Sequence, residues 1–294
     1  MSVSADSYIL PEHRTTHTAD VVVVQNGLPV SRIDTLAVEE PLEIRLVHGP
    51  RHDRQILPLS TTMRTPGHDL ELAAGYVVAE GIVADRHDLE GVVSCGQGTG
   101  SERVENIVRV EIRPGVVIDE AQHRRFGLMT SSCGLCGKST LSALESRVRL
   151  HPSSQFRITD RAIHELPGRL RQSQMLFDRT GGLHAAALVD LEGNVLLVRE
   201  DVGRHNAVDK VIGHEYLADR LPREDCLLFV SSRASYELMQ KALMAGISTL
   251  ATVGAPSSLA VDLARNFGAT LIGFVREQRF TIYAGAERVL VGPR

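Results

Sequence analysis

The sequence contains no tryptophan, and aromatic residues make up only 4% of its 294 positions. Its cores must therefore be assembled from valine, leucine, isoleucine and alanine. Cysteine is scarce as well: Cys95, Cys133, Cys136 and Cys226 are all there are. Four are too few for a disulfide-stapled scaffold and suit a reduced chain with one special pair. No apolar run reaches the roughly 18 residues of a membrane span. The opening segment, with Ser4, Asp6, Glu12 and Arg14, lacks the apolar stretch of a signal peptide, so the expected compartment is the cytoplasm. An excess of basic charge is missing too. The formal charge of −4 and a pI near 6.3 argue against nucleic acid as a partner, so any anion site must be local. What remains is ordinary for a globular protein, 43% hydrophobic and 23% charged residues, long enough for one large domain or two unequal ones.

Residues 1–18 show no period and are expected to form a flexible tail. Short β-branched or alternating runs at 21–24, 34–38 and 42–47, punctuated by Gly27, Pro29 and Pro41, predict strands. Within the last of these, Leu42, Ile44 and Leu46 alternate with Glu43 and Arg45, the mark of a half-buried strand. Thr65 followed by Pro66 predicts a helix start, with His68 and Asp69 in the first turn and an apolar stretch over 70–79. Residues 91–94 and 107–112 read as strands around a loop at 96–101. Cys95 is expected to be a small buried residue. Beyond residue 156 the pattern changes. A helix over 160–172 is expected to break at Pro167. Strands at 183–189 and 195–198 flank the turn Glu192-Gly193-Asn194 as a hairpin. Strands at 227–230, 247–253, 270–275 and 280–283 then alternate with helices at 235–245 and 257–267, with Gly246 and Gly268 as helix stops. The expected fold class is α/β with several parallel strands. A β-rich region over 19–150 precedes an α/β unit over 151–294.

The run Ser131-Ser132-Cys133-Gly134-Leu135-Cys136-Gly137-Lys138 places two thiols in a glycine-rich loop. Residues 139–145 predict a helix just after it. A helix N-terminus and Lys138 both favour thiolate, the nucleophilic form. Such a pair can share a metal, cycle through a disulfide, or pass a sulfur atom.

Three polar clusters lie between strands and helices. They are Thr180-Gly181-Gly182-Leu183-His184, then Arg199-Glu200-Asp201-Val202-Gly203-Arg204-His205-Asn206, and Ser231-Ser232-Arg233-Ala234-Ser235. Residues 254–258 echo the third. Each alone reads as ordinary capping and solvated surface. Three at equivalent ends of one sheet point to a ligand, since α/β sheets bind ligands at the carboxyl ends of their strands, where helix N-termini offer amides to anions. A structural zinc would want a second pair of ligands, and only His184 or His205 could complete one. A thioredoxin-type redox pair belongs at the end of the first strand of a βαβ unit. Cys133 to Ser139 misses a phosphate-binding loop because Ser132 stands where glycine is needed. His184-Ala185-Ala186 lacks the carboxylate of a zinc deaminase.

These residues together resemble the FdhD family, sulfur carriers required for formate dehydrogenase activity. The resemblance runs from about residue 20 to 290. It rests on Glu40-Pro41-Leu42-Glu43-Ile44, residues 63–69 with Ala73-Ala74-Gly75, residues 132–138, 180–187 and 199–209, Arg233-Ala234-Ser235 and residues 255–260. Ser232 departs from it, standing where the family pattern has glycine. The resemblance implies a cytidine-deaminase-like three-layer α/β domain at the C-terminus, without deaminase chemistry, beside a smaller β-rich N-terminal region. It also implies a sulfurtransferase: sulfur is taken as persulfide from a cysteine desulfurase and delivered to the molybdenum bis-molybdopterin guanine dinucleotide cofactor, which is then inserted into apo-formate dehydrogenase. By motif match Cys133 would carry the persulfide with Cys136 as helper thiol. The cofactor-binding segment would be Phe274-Val275-Arg276-Glu277-Gln278-Arg279. For a ligand with two pyrophosphates, Arg204, Arg233 and Arg276 would supply guanidinium donors. His184 and His205 would add hydrogen bonds to phosphate, and Asp201 and Asn206 would meet guanine. A doubled dinucleotide suits a homodimer. A cofactor chaperone whose thiols are purely structural, and a zinc-stabilised nucleotide-binding protein, are the other readings.

Overall fold

The computed structural model of the chain describes residues 15–83, 85–95, 106–118, 148 and 156–292. The paired cysteines, the helix expected after them, the loop at 96–101 and the expected division between residues 150 and 151 lie outside these residues.

Strands β1 (Thr16–Gln25) and β2 (Leu28–Ala37) form an antiparallel ribbon. Asn26 and Gly27 turn it with φ of 52° and 81°, the paired positive values of the tightest hairpin turn. Because Thr16 pairs with Ala37, the strand begins inside the segment expected to be a tail. Val22, Val24, Leu28 and Ile33 are exposed on this ribbon. Strands β3 (Glu40–His48), β4 (Gln55–Arg64), β5 (Leu89–Ser94) and β6 (Ile107–Ile112) make a four-stranded sheet in the order β4-β3-β6-β5. The alternation in β3 is as expected: Leu42, Ile44 and Leu46 are buried, while Glu43 and Arg45 pair with each other outside the core. Cys95, expected to be buried, is half-exposed where β5 ends.

Helix α1 (Asp69–Ala79) begins three residues after the expected start, with His68 as its left-handed N-cap at φ 57°. Thr65 does not cap it. Its hydroxyl accepts from the Val202 amide and its own amide donates to Asp201, so the residue ties two distant segments together.

After β7 (Ile158–Thr159), helix α2 (Asp160–Ser173) runs through Pro167 without breaking. The Thr159 hydroxyl caps it by accepting from Ala162, and Ala162, Ile163, Leu166 and Leu170 bury one face. Four buried apolar side chains outweigh one lost backbone hydrogen bond. Helix α3 (Met175–Thr180) follows at once, with Gln174 closing one helix and opening the next. Strands β8 (His184–Val189), β9 (Val195–Asp201), β10 (Leu227–Val230), β11 (Thr249–Thr252), β12 (Thr270–Arg276) and β13 (Arg279–Ala284) form a six-stranded sheet. Its order is β13-β12-β11-β10-β8-β9. The central three strands are parallel, and β8 and β13 run against their neighbours. Helices α4 (Arg204–Leu217), α5 (Tyr236–Met244) and α6 (Ser258–Asn266) connect them, and Gly246 and Gly268 end α5 and α6 with positive φ. A short strand, β14 (Val289–Leu290), pairs with β7.

Residues on the sheet alternate between two cores. Leu188, Leu228, Val230, Leu250 and Leu271 pack with α1, α4, α5, α6 and the four-stranded sheet. Ala187, Phe229, Ala251 and Ile272 pack with α2 on the other side. The result is a helix–sheet–helix sandwich whose larger core is shared with the N-terminal half. Cys226 lies in that core, fully buried, and burial pushes its thiol up to about 12 despite the Arg223 guanidinium 2.8 Å away.

The two halves meet most closely where α1 crosses α4. A Cβ on Gly75 would lie 1.8 Å from the Asp209 carbonyl oxygen, and one on Gly213 would lie 1.8 Å from the Glu71 carbonyl oxygen. Only hydrogen at both positions permits this backbone contact. Beside the crossing, Glu71 accepts from Arg199 at 2.6 and 2.8 Å and sits 2.9 Å from His214 Nδ1 and 3.3 Å from His68 Nδ1. Asp209 pairs with Lys241 at 2.8 Å, both buried.

Alanine at Gly75 or Gly213 is expected to destabilise the fold by about 3 kcal/mol, because the neighbouring atom is backbone and cannot swing aside; urea unfolding checks this. Burial alone would raise the Glu71 carboxyl, but hydrogen bonds from Arg199, His214 and His68 hold it far below the ordinary 4.5. A carboxylate depressed in the folded state adds stability above its unfolded value and loses it as pH falls toward the folded one. The stability difference between wild type and Glu71→Gln should therefore be full at pH 7 and shrink below about pH 4.5, read as urea midpoints across that range.

Candidate ligand site at the strand ends

Strand direction brings the three polar clusters together. Because β8 runs against β10 and β9, its first residue, His184, lies opposite Asp201 at the end of β9. The chain leaves β10 beside it: the Ser231 amide donates to the Ala185 carbonyl, and the Ser231 hydroxyl accepts from the Ala185 amide. The Gly254 amide donates to Ser232 O and the Phe274 amide to Gly254 O, which carries the same rim across to β12. Helices α4, α5 and α6 all begin here. The Ser235 and Ser257 hydroxyls cap the latter two by accepting from Leu238 and Ala260. The expectation of equivalent strand ends holds.

The cations on this rim differ in how they are used. Arg204, the first residue of α4, is partly exposed and Arg233 is exposed. Neither guanidinium has a hydrogen-bond or ion-pair partner among the described residues. Arg276 is spent: its Nη1 donates to the carbonyls of Val253 and Val275 at 2.7 and 2.8 Å. Ser232, the departure from the family pattern, is buried and its hydroxyl bonds the Arg233 carbonyl at 3.0 Å, so the turn presents Arg233 outward all the same. The segment 274–279 straddles the β12–β13 hairpin. Glu277 and Gln278 form the exposed turn and Arg279 is exposed beside it. Phe274 takes a left-handed φ of 53° at a register shift in the ladder, a conformation that costs about 1–3 kcal/mol and tends to persist at functional sites. Val275 is fully buried in the core shared with α2 and cannot touch a ligand, contrary to expectation.

Two further expectations fail. Asp201 has no exposed surface. Its oxygens accept from the Gly203 amide at 2.8 Å, Asn206 Nδ2 at 3.0 Å and the Thr65 amide at 3.2 Å, and pair with Lys210 at 2.7 Å. Asn206 is equally occupied, donating to Met63 O and Asp201 and accepting from the Thr62 hydroxyl. Neither can meet guanine; both hold the turn that aims Arg204.

The histidines are held neutral. Burial, Lys241 and Arg204 lower His205 to about 4, and its Nε2 lies 3.5 Å from the Ser235 hydroxyl. Burial and then Arg204 lower His184 as well, against the pull of Asp201. Its Nδ1 lies 3.5 Å from the Ser231 hydroxyl. Neutral imidazoles beside unpaired guanidiniums can donate to or accept from a ligand without adding charge. His184 and Ser231 also border a cavity of about 510 Å³ that extends under α2 and α3, past Gln174 and Phe177. Sequence reasoning missed this wall because a six-residue helix carries no measurable period.

The FdhD/NarQ family model matches residues 37–290. The sulfur carrier protein FdhD of Streptomyces coelicolor is 49% identical over 279 residues, covering 94% of this chain and 96% of its own. The protein of that name from Mycobacterium tuberculosis is 47% identical over 266 residues, covering 88% of this chain and 93% of its own. In three dimensions the chain is similar to a crystal structure from Desulfotalea psychrophila, provisionally named a formate dehydrogenase accessory protein. The TM-score is 0.71 at 23% identity, over 94% of this chain and all of that one, and it shows the same fold.

Removing the Arg204 charge should let His205 take up a proton more readily, since a nearby cation disfavours imidazolium. In Arg204→Ala the His205 titration, followed by NMR, is expected to rise from about 4 yet stay below the free histidine value, because burial remains.

Proposed function

The chain belongs to the FdhD/NarQ family, and from that premise we propose that it is a sulfur carrier serving the maturation of formate dehydrogenase. The observation that carries the reading is a pair of guanidiniums, Arg204 and Arg233, without a partner among the described residues, on a sheet rim where three helices begin. Such a rim suits a polyanionic dinucleotide: guanidinium forks and helix-terminal amides meet phosphate oxygens with charge-assisted hydrogen bonds. The cargo is the molybdenum bis-molybdopterin guanine dinucleotide cofactor, bound as a substrate by Arg204, Arg233, His184, His205 and the exposed part of the 274–279 turn. The chain acts as a sulfurtransferase in the cytoplasm, as a homodimer whose partners are a cysteine desulfurase and apo-formate dehydrogenase.

The carrier is Cys133, with Cys136 as helper thiol. The Cys133 thiolate attacks the terminal sulfur of a persulfide on the desulfurase, forming a new S–S bond as the donor cysteine leaves as thiolate. The Cys136 thiolate then attacks the inner sulfur on Cys133, forming a Cys133–Cys136 disulfide and releasing the terminal sulfur as hydrosulfide for the cofactor, and a thiol reductant reopens the disulfide. No net oxidant is needed in the first transfer, because one S–S bond replaces another. The six-stranded order, with an antiparallel pair at one edge and three parallel strands at the centre, supports a cytidine-deaminase-like reading of residues 151–294 beside the β-rich region 19–150. His184-Ala185-Ala186 still lacks a deaminase's carboxylate, so the layered sheet is used for binding.

Incubation with a cysteine desulfurase and cysteine should add the mass of one sulfur atom to the intact protein, removable by reductant and absent in Cys133→Ala. An unchanged mass with cofactor binding intact would make the protein a cofactor chaperone instead.

A further inference from the structure

The ribbon of β1 and β2 is bare on both faces. Val22, Val24, Leu28, Val30, Ile33 and Leu36 are between 43% and 71% exposed. Residues opposite each other across an antiparallel pair share a face, and the face changes at every step along a strand. The register sets Val22 against Ser31, Val24 against Pro29 and Ile33 against Asp20, so Val22, Val24 and Ile33 lie on one face. Leu28, Val30 and Leu36 lie on the other, opposite Gln25, Val23 and His17. A hairpin resting on its own domain hides an apolar face and wets a polar one; this one wets apolar side chains on both. Within the chain its main support is α3, which β2 touches, and Ala37 at its base lies beside Gly182. Each strand has only the other as a sheet neighbour. A two-stranded ribbon is marginal in water unless something packs on it, yet every pair from Thr16–Ala37 to Gln25–Leu28 is formed. The family model matches from residue 37, where the ribbon ends, so this surface lies ahead of the part the family has in common.

We infer that the ribbon is an arm that packs on a second copy of this chain, each copy lending its arm to the other about a two-fold axis. The edge of β1 carries four valines in succession, Val21 to Val24, with neither charge nor proline among them. An open edge of that kind beside bare apolar faces invites aggregation. Only a constant partner keeps it covered, and a second copy is always present at the chain's own concentration. The areas agree. With roughly 100 Å² bare on each of the six side chains, two arms hide about 1,200 Å², the lower bound of a stable interface. A two-fold axis makes the patch its own complement, and exchanged arms cover both faces, which a flat contact cannot. This deepens the homodimer reading above by giving it a surface, and it is independent of the sulfur chemistry.

The test is sedimentation velocity of the full chain over a dilution series. The wild type should sediment as a dimer, and its melting temperature should fall on dilution, because a partner bound only to the folded state stabilises by mass action. The double variant Val22→Lys, Ile33→Lys places charge on one exposed face of the ribbon. It should sediment as a monomer, with a melting temperature that dilution leaves unchanged. Hydrogen exchange on the wild type needs no variant: the amides of 16–37 should lose protection on dilution while those of α4 and α5 keep theirs. A monomeric wild type overturns the assignment. So does a folded double variant that stays dimeric, or a ribbon equally protected in dimer and monomer, and any homodimer then uses another face. Sulfur gain on Cys133, read as intact mass, tests the sulfur-carrier reading on its own.

Discussion

The contact on which the rest of the molecule depends is a backbone-to-backbone crossing of two helices. At Gly75 and Gly213 no side chain separates α1 from α4, so the N-terminal half sits directly against the helix that begins at the strand-end rim. That approach brings Glu71 within reach of Arg199 and His214, and Thr65 within reach of Asp201 and Val202. Residues 62–65 thereby become the floor beneath the Asp201–Asn206 turn. The strand-end rim of the large sheet is thus held in shape by a part of the chain more than a hundred residues earlier.

Charge on the rim is sorted by use. Arg199, Arg276, Lys210 and Lys241 are committed to carboxylates or carbonyls, and their electrostatic work is structural. Among the described residues, Arg204 and Arg233 are left over. The histidines among them are kept neutral by burial and by Arg204, with Lys241 acting on His205 as well. Net charge gives no sign of this, because a chain at −4 can still hold a local cationic strip, and geometry alone separates spent from unspent charge.

Much of this was legible in the sequence. The period-two pattern of Leu42, Ile44 and Leu46, the alternation of strands and helices after residue 180, and the stops at Gly246 and Gly268 are local signals, and local signals survive folding. The clustering of His184, Arg204 and Arg233 followed from strand order, which alternation implies. What failed was long-range. Thr65 reads as a cap until Asp201 claims it, and Asp201 and Asn206 read as ligand groups until each other, Lys210 and Met63 O occupy them. Pro167 reads as a break until α2 has a core to lie against. Asn26-Gly27, by contrast, was a local hairpin signal in full view, overlooked because the valine run beside it was read as an isolated strand.

Cys226 gives the chain a silent thiol. With its sulfur sealed in the core and raised to about 12 by burial, almost none of it is thiolate near neutral pH, and alkylating or arylating reagents act on thiolate. Titration of native thiols therefore passes over this residue. Its labelling marks unfolding, and the remaining reactivity of the folded chain belongs to the other three cysteines without background from the core.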